Sequence, residues 1–207
     1  MNWALSAGVT HRLVLIRHGE PEAYARGRCY GKLDVGLSNL GREQMRSVAR
    51  RLKETPLSAV YCSPRQRAYE SAKILAVEHN LDVVSDLRLC EIDFGEFEGL
   101  TYDEAAERYP EQYRDWMEQP TAVTFPGGES YMALRERVNC CLEDLYTSHA
   151  GQTVAVVSHG GVNRVILAEA LHLESKYVFR VDQSYAAVSI IDYYDRTPVV
   201  RLVNDCG

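Results

Sequence analysis

The sequence predicts an α/β protein, a three-layer α/β/α sandwich around a mostly parallel central sheet. Two apolar runs, at 13–16 and 154–157, are rich in β-branched residues and are followed closely by glycine, a pattern typical of inner strands buried on both faces. Between and after these runs, strand patterns alternate with helical patterns, which favours right-handed crossovers and a parallel sheet. The chain has 207 residues, so a single domain over 1–207 with its own core is expected.

The first half of the chain contains a loop pattern, a helix pattern and a second strand pattern. A glycine-rich loop is expected over 23–37, after the first strand. Ser38 is then expected to cap a helix whose apolar residues share one face and which ends before Pro56. A second short buried strand is expected at 59–62.

Ser63 and Pro64 predict the start of the next helix. Serine is a favoured N-cap residue and proline is favoured at the first helical position. This interpretation places Arg65 and Arg67 in the first helical turn. Positive charge there opposes the helix dipole at a cost on the order of a few tenths of a kcal/mol. A nearby anion therefore explains at least one of the two arginines better than an ordinary solvated position does.

The second half continues the alternation. A long amphipathic helix is expected over about 130–149, because its apolar residues recur at helical spacing. The strand that contains 154–157 follows it, and helical spacing resumes at Val162. The chain ends with two β-rich runs, at 187–194 and 199–203.

Composition excludes some classes of partner. The formal net charge is −6 and the sequence pI is about 5.6, whereas binding to a nucleic-acid backbone needs a basic face. No apolar stretch approaches the roughly 20 residues that a membrane-spanning helix needs, and the first residues do not resemble a signal peptide. We expect no membrane partner and a cytoplasmic location. The sequence leaves the oligomeric state open, a homodimer included.

The cysteines do not indicate a metal site. The chain has six, with no CxxC or CxxH spacing of the kind that predicts zinc or a redox pair. They are interpreted as reduced thiols of a cytosolic protein.

Two histidines follow the two buried strands. His18 and His159 each stand at the carboxyl end of a predicted strand, and ligands of open α/β sheets bind outside those ends. One histidine after a strand is more often structural, but two of them accompanied by Arg17 and Arg67 indicate a shared anion site. The planar guanidinium of arginine binds tetrahedral oxyanions through two parallel bonds. The Gly160 amide, at a predicted helix N-terminus, is a further candidate donor.

Four strings in the same order carry a resemblance to a known family. They are LIRHGE at 15–20, SPRQRA at 63–68, EIDFGEFEG at 91–99 and SHGG at 158–161. On these motifs the chain resembles the histidine phosphatase superfamily, also called phosphoglycerate mutase-like, over essentially its whole length. The resemblance implies a phosphoglycerate mutase-like fold with a small helical cap over about 91–127.

The resemblance also implies roles for the candidate residues. His18 would accept the phosphoryl group on a ring nitrogen, while Arg17, Arg67 and His159 would hold the phosphoryl oxygens. Glu91 would be the general acid and then the general base. The alternative for Glu91 is an ordinary surface carboxylate in an acidic segment. The implied chemistry needs no metal ion and no cofactor, and its partner would be a small-molecule phosphate ester.

The loop after the first histidine departs from the family pattern. Where many members have asparagine, an ungapped alignment places Tyr24 in this chain, which leaves phosphate contacts from this loop open, with Arg28 and the amide of Gly31 as candidate replacements. Glu129 is expected near the mouth of the site. The predicted cap contains most of the phenylalanines, and its aromatic residues pack either with one another or against the substrate.

The sequence favours hydrolysis over mutase chemistry. Phosphoglycerate mutases usually carry a longer insert with a further pair of arginines, whereas only Arg108 and Arg114 lie between 100 and 128. The loop at 29–35 and the run at 93–101 are most similar to those of α-ribazole phosphatases. We therefore expect hydrolysis of α-ribazole 5'-phosphate in cobalamin assembly. A broad-specificity phosphatase, a mutase-type enzyme and a non-catalytic phospholigand-binding protein are the alternatives.

Overall fold

The computed structural model describes residues 5–207, which contain one six-stranded sheet and six α-helices. The strands are β1 His11–Arg17, β2 Leu57–Cys62, β3 Val83–Ser85, β4 Thr153–Ser158, β5 Val188–Tyr194 and β6 Thr197–Asp205. The helices are α1 Asn39–Leu52, α2 Gln66–His79, α3 Tyr102–Arg108, α4 Pro110–Glu118, α5 Tyr131–Ser148 and α6 Gly160–Ala170.

The sheet is mixed, with a parallel part that carries the predicted inner strands. Its strand order is β3-β2-β4-β1-β5-β6, and the neighbours from β3 to β1 are parallel. β5 and β6 add an antiparallel edge. All six residues of β4 are buried, as expected for a central parallel strand with helices on both faces. The predicted mostly parallel sheet is confirmed.

Successive residues of β1 and β4 point to opposite faces of the sheet and form two separate cores. Leu13 and Leu15 pack with α5 and α6, whereas Val14 and Ile16 pack with α1 and α2. The three-layer sandwich predicted from the sequence is therefore confirmed. Its layers are α1 and α2, the sheet, and α5 and α6.

The predicted start of α2 is wrong. Helix α2 begins at Gln66 with Arg65 at its N-cap position, and the carboxylate of Asp34 accepts the Gln66 amide at 2.7 Å. Ser63 does not cap this helix, because its own amide still extends the sheet by donating to the Val157 carbonyl at 3.2 Å. The Ser63 hydroxyl accepts the Arg65 amide at 3.2 Å, within the turn that precedes α2. By contrast, Ser38 caps α1 as predicted, since its Oγ accepts the Gly41 amide at 3.0 Å.

The cap forms a small core of its own. Phe97 and Phe125 are buried in a cluster that most of the aromatic side chains of the cap join. The other aromatic members are Phe94, Tyr109, Tyr113 and Trp116. The rings therefore pack mainly with one another, which is the first of the two alternatives that the sequence left open. Tyr102 is the exception: its ring stacks on Trp116 and is 45% exposed.

Three of the six cysteines are buried in the structure. Cys29, Cys62 and Cys141 are buried, and burial raises the pKa of each thiol to about 12. Such thiols stay protonated and behave as small apolar side chains. Within residues 5–207, no helix combines the length and the apolar character that crossing a membrane requires.

Glycine at position 19 lets α1 approach the end of β1. A Cβ atom at Gly19 would lie 2.4 Å from the carbonyl oxygen of Gly41, in the first turn of α1. The Gly19 amide donates to the hydroxyl of Ser71 in α2 at 3.1 Å. Gly19 therefore fixes the turn after β1 against two helices of the same layer.

We expect Gly19→Ala to lower the free energy of unfolding by about 1–3 kcal/mol, because added bulk at a packed position forces backbone shifts. Urea denaturation measures the change. A denaturation midpoint equal to that of the unsubstituted protein would contradict this close approach.

Candidate active site

The two strand tips meet as the sequence predicted. β1 and β4 pair in parallel with Arg17 opposite Ser158, and the amide of His18 donates to the Ser158 carbonyl at 2.9 Å. His18 and His159 follow this last pair, so their rings lie with centroids 5.2 Å apart in an edge-to-face arrangement. Both side chains are buried.

The ring of His18 has a fixed orientation and a fixed tautomer. Its Nδ1 lies 2.7 Å from the carbonyl oxygen of Gly19. A carbonyl only accepts hydrogen bonds, so Nδ1 carries the proton and Nε2 keeps a free lone pair. Burial, together with the charges of Arg67 and Arg17, holds the pKa of His18 well below its usual value. The ring is therefore neutral at physiological pH and is suited to act as a nucleophile.

His159 occupies the N-cap position of α6 with both ring nitrogens buried. Burial, Arg67 and His18 lower the pKa of His159 well below its usual value. Among the described residues, neither ring nitrogen has a hydrogen-bond partner. Because buried polar atoms in native proteins are nearly always bonded, these nitrogens indicate a place for a polar ligand.

Arg67 is buried and fixed by backbone carbonyls of the loop after β1. Its terminal nitrogens donate to the carbonyls of Leu33 at 3.0 Å, Tyr30 at 2.9 Å and Gly31 at 3.1 Å. Neutral carbonyls hold the guanidinium in place without neutralising it. The Nε atom remains buried and without a partner in the described part of the chain.

Arg17 is fixed in a similar way on the other side. Its guanidinium donates to the Gln183 carbonyl and lies 4.1 Å from the centroid of the Tyr185 ring. The hydroxyls of Tyr30 and Tyr185 are 2.9 Å apart, and both rings flank His18. Arg17 also keeps an unpartnered buried Nε within residues 5–207. Two uncompensated guanidiniums beside two imidazoles form a site for an anion such as a phosphoryl group.

Gly160 and Arg164 extend this positive region. Gly160 is the first residue of α6, and a Cβ atom there would lie 3.6 Å from the Arg17 guanidinium and 3.2 Å from a terminal nitrogen of Arg164. Sequence reasoning missed Arg164. Its signal is the same as for Arg67, a positive charge in the first turns of a helix that opposes the helix dipole.

Glu91 lies at the N-terminus of α6, beside the histidines. Its carboxylate accepts hydrogen bonds from the backbone amides of Gly161 and of the adjacent Ile92, both at 3.0 Å. A Cβ atom at position 161 would lie 2.3 Å from the carboxylate, so glycine is required for this approach. The structure thus brings Glu91 to the site, and the alternative of an unattached surface carboxylate does not describe it.

Arg137, which sequence reasoning also missed, fixes the backbone around Glu91. Its guanidinium donates to the carbonyls of Arg88 and Cys90, both at 2.7 Å, and of Glu91 at 3.1 Å. Its remaining two donors bind the carboxylate of Glu129 at 2.7 and 2.8 Å. All five N–H groups of an arginine are thereby used. The sequence offers one indication of this role: Arg137 stands next to Val138, which belongs to the apolar face of α5.

The two candidate phosphate contacts of the loop after β1, Arg28 and the Gly31 amide, bind other protein groups in the structure. The amide of Gly31 donates to Glu98 at 3.1 Å, so it is already occupied, and Gly31 instead supplies a carbonyl to Arg67. Arg28 binds the Gly99 carbonyl at 2.7 Å and pairs with Glu104 in the cap. The Tyr24 side chain is 59% exposed. These interactions tie the loop to the cap, and they correct the expectation that Arg28 or Gly31 replaces a phosphate ligand.

A cleft of about 470 Å³ is lined by Glu91, which it shares with the site described above. Glu129 lines this cleft, in agreement with its expected place near the mouth, although its carboxylate is engaged by Arg137. The other charged side chains that line it are Lys32, Arg65, Glu91, Asp93 and Arg137.

The fold and this arrangement of residues define a known class of protein. The family model of the histidine phosphatase superfamily (branch 1) matches residues 13–206. The chain belongs to this superfamily, as the four sequence motifs indicated.

Relatives with known names carry different activities. The chain is 40% identical over 207 residues to a bifunctional protein of Mycobacterium tuberculosis, and the match covers 99% of this chain and 57% of that protein. It is 36% identical over 193 residues to phosphoserine phosphatase 1 of Hydrogenobacter thermophilus, covering 93% and 92% of the two chains. The solved α-ribazole phosphatase of Shigella flexneri is 26% identical with a TM-score of 0.87, covering 95% of this chain and 97% of that one.

The lowered pKa values of His18 and His159 predict a loss of stability in acid. Below about pH 6.5 the unfolded chain binds protons at these histidines, whereas the folded chain does not. The free energy of unfolding therefore rises with pH up to about 6.5 and falls as the pH drops below it. Urea denaturation between pH 5 and 8 measures this dependence.

The double variant His18→Gln, His159→Gln should show a weaker pH dependence. Burial also lowers the pKa of His11 and His79, so part of the dependence will remain. Inorganic phosphate should weaken it too, because an anion favours the protonated rings. Equal pH dependence in the unsubstituted protein and the double variant would contradict the neutral state of the two rings.

Proposed function

We propose that the chain hydrolyses phosphomonoesters through a phosphohistidine formed on His18. The observation that carries this proposal is the state of the His18 ring. Its Nδ1 is bound to the Gly19 carbonyl, its pKa is lowered by burial and by Arg67 and Arg17, and the unpartnered nitrogens of His159 lie beside it.

In the first step the phosphoryl group is transferred to the protein. Arg17, Arg67 and His159 bind its oxygens and stabilise the charge of the transition state. The lone pair of His18 Nε2 forms the N–P bond as the P–O bond to the leaving alcohol breaks. Glu91 gives its proton to the departing oxygen. The positive charge comes from guanidiniums, so the proposed step uses no metal ion and no cofactor.

In the second step water releases phosphate. Glu91, now ionised, accepts a proton from a water molecule whose oxygen forms a new P–O bond as the N–P bond breaks. This restores neutral His18 and protonated Glu91. The same carboxyl group thus acts as acid and then as base, which requires that it stay close to the leaving-group position through both steps.

The first candidate substrate is α-ribazole 5'-phosphate. It is supported by the loop at 29–35 and the run at 93–101, and by similarity to the α-ribazole phosphatase of Shigella flexneri. Tyr102 is 45% exposed, whereas the rings of the cap core are buried or partly buried, so among the described cap residues its ring is the one left free for an aromatic leaving group. Mutase chemistry is not favoured, because one of the two arginines of the cap region, Arg114, is exposed and paired with its neighbour Asp115.

The second candidate is a small charged phosphate ester such as phosphoserine. The cleft beside Glu91 is lined mainly by charged and polar side chains, and the aromatic rings of the cap are packed in their own core. This lining fits a charged leaving group better than a flat apolar one. Similarity to phosphoserine phosphatase 1 of Hydrogenobacter thermophilus points in the same direction.

Removal of a phosphoryl-binding group should abolish most of the activity. We expect His18→Ala to eliminate turnover, and Arg67→Ala and His159→Ala to lower kcat/KM by about 100-fold or more, the usual effect of losing one transition-state donor. Phosphate release from p-nitrophenyl phosphate, phosphoserine, 3-phosphoglycerate and α-ribazole 5'-phosphate is measured in the presence of a chelator. His172→Asn is the control.

The same series distinguishes an enzyme from a non-catalytic binding protein. An enzyme should trap labelled phosphate in acid-labile form, and His18→Ala should trap none. Binding of phosphate esters by the unsubstituted protein without any release would refute the proposed function. A requirement for a metal ion would refute the proposed source of positive charge.

Arg137 should affect protonation of the leaving group more than phosphoryl binding. Arg137→Met removes the donor that fixes the Glu91 carbonyl, so we expect hydrolysis of alkyl phosphates to fall by at least about 10-fold. In kcat/KM, which reports phosphoryl transfer to His18 and not the later attack of water, p-nitrophenyl phosphate should change little, because p-nitrophenolate leaves without a proton.

Arg135→Met is the matched control, since Arg135 lies on the same helix and pairs with Glu169 instead. The ratio of the kcat/KM values for the two substrates separates positioning of Glu91 for leaving-group protonation from a general structural effect. Equal losses on both substrates would count against the positioning role of Arg137.

A further inference from the structure

The cleft beside Glu91 offers space for the rest of the substrate. In the proposed reaction Glu91 protonates the leaving oxygen, and Glu91 lines this cleft of about 470 Å³. The group attached to that oxygen lies beside Glu91, and this cleft offers it space. Its charged lining residues are the protein's means of selecting a leaving group.

Most of the charges in the cleft are already paired. The Lys32 ammonium lies 2.7 Å from the carboxylate of Asp93. Arg137 and Glu129 form a second pair at 2.7 Å. After these pairs are formed, Arg65 and Glu91 remain, and Glu91 is assigned to proton transfer. Arg65 is thus the cation of this cleft whose charge no described residue compensates by an ion pair.

The guanidinium of Arg65 also has an unsatisfied donor. Its Nε atom is buried without a partner in the part of the chain that the structure describes. Three loop carbonyls fix the Arg67 guanidinium. Within residues 5–207, the structure shows no hydrogen bond from Arg65 to these carbonyls. A buried donor without an acceptor is unfavourable unless a ligand or water satisfies it.

The position of Arg65 makes this arrangement more unfavourable without an anion. Arg65 is the N-cap residue of α2, where a positive charge opposes the helix dipole. Arg67, two residues further on, is another cation, and the charge of Arg65 acts to lower the pKa of Arg67. An acidic group in the cleft would relieve both effects.

We propose that Arg65 binds a carboxylate on the leaving-group side of the substrate. This inference rests on the proposed phosphatase function and narrows its substrate class. The preferred substrate is a phosphate ester of a small hydroxy acid or hydroxy amino acid, in which the carboxylate lies a few bonds from the ester oxygen. The inference favours the second candidate substrate over α-ribazole 5'-phosphate, whose leaving group carries no acidic group.

A pair of substrates that differ only in the carboxylate tests the proposal. O-phosphoserine and O-phosphoethanolamine share the phosphate and the ammonium group, and only the first has a carboxylate. We expect the unsubstituted protein to prefer phosphoserine in kcat/KM by at least about 10-fold, the usual effect of one charge-assisted hydrogen-bonded contact. 3-phosphoglycerate and glycerol 3-phosphate form a second such pair.

Arg65→Met should remove this preference. We expect its kcat/KM for phosphoserine to fall by about 10- to 100-fold, with little change for phosphoethanolamine. Lys32→Met is the matched control in the same cleft, because Asp93 already pairs the charge of Lys32, and it should have a smaller effect. Arg65→Lys should recover part of the preference, since it restores the charge without the two-pronged geometry.

Each other outcome has a definite meaning. Equal losses on both substrates in Arg65→Met would show that Arg65 acts on the phosphoryl group and would overturn the inference. A preference for phosphoserine that survives in Arg65→Met, or no preference in the unsubstituted protein, would overturn it as well while leaving the proposed function intact. No release from any phosphate ester by the unsubstituted protein would refute the proposed function, and with it this inference.

Discussion

The parallel pairing of β1 with β4 is the constraint on which the candidate site depends. The hydrogen bond from the His18 amide to the Ser158 carbonyl, 2.9 Å long, extends this pairing one residue beyond the strands. It brings together two histidines that are far apart in the sequence. The pairing is stabilised by apolar residues that alternate between the two cores, so the distance between the imidazoles is set by the burial of the sheet and not by contacts of the imidazoles themselves.

The site that results is unfavourable without a ligand. Two guanidiniums lie beside two neutral imidazoles, and the groups that bind the guanidiniums are carbonyls, which orient a positive charge but do not cancel it. Burial and these charges keep the pKa of both histidines low. A phosphoryl group would therefore find donors that are already aimed at it, with no reorganisation cost at the moment of reaction. The core of the sandwich supplies the stability that such an arrangement requires.

The sequence predicts the part of the site that local patterns determine. His18 and His159 follow buried strands, so periodicity points to them as a pair. Helix electrostatics leaves both Arg65 and Arg67 open, and the motif at 63–68 selects Arg67. The structural features that could not be predicted depend on partners distant in the chain. Asp34 binds the amide that begins α2, and Glu98 takes the amide of Gly31. Arg137 reaches the backbone on both sides of Cys90. Propensity and spacing contain no information about such contacts.

The two halves of the proposed site are therefore built in different ways. The phosphoryl half stands on strand ends and a helix N-terminus, which any change would disturb together with the core. In the proposed reaction the leaving-group half consists of Arg65, Lys32, Asp93 and Glu129, whose side chains line an open cleft. Substitutions there alter one ion pair at a time and leave the sheet intact. Glu91 belongs to both halves. Its carboxylate accepts a hydrogen bond from the Gly161 amide of α6, and its backbone carbonyl accepts one from Arg137 of α5. Substrate choice can thus change in this fold while the phosphoryl chemistry stays the same, as long as the carboxylate of Glu91 keeps its place.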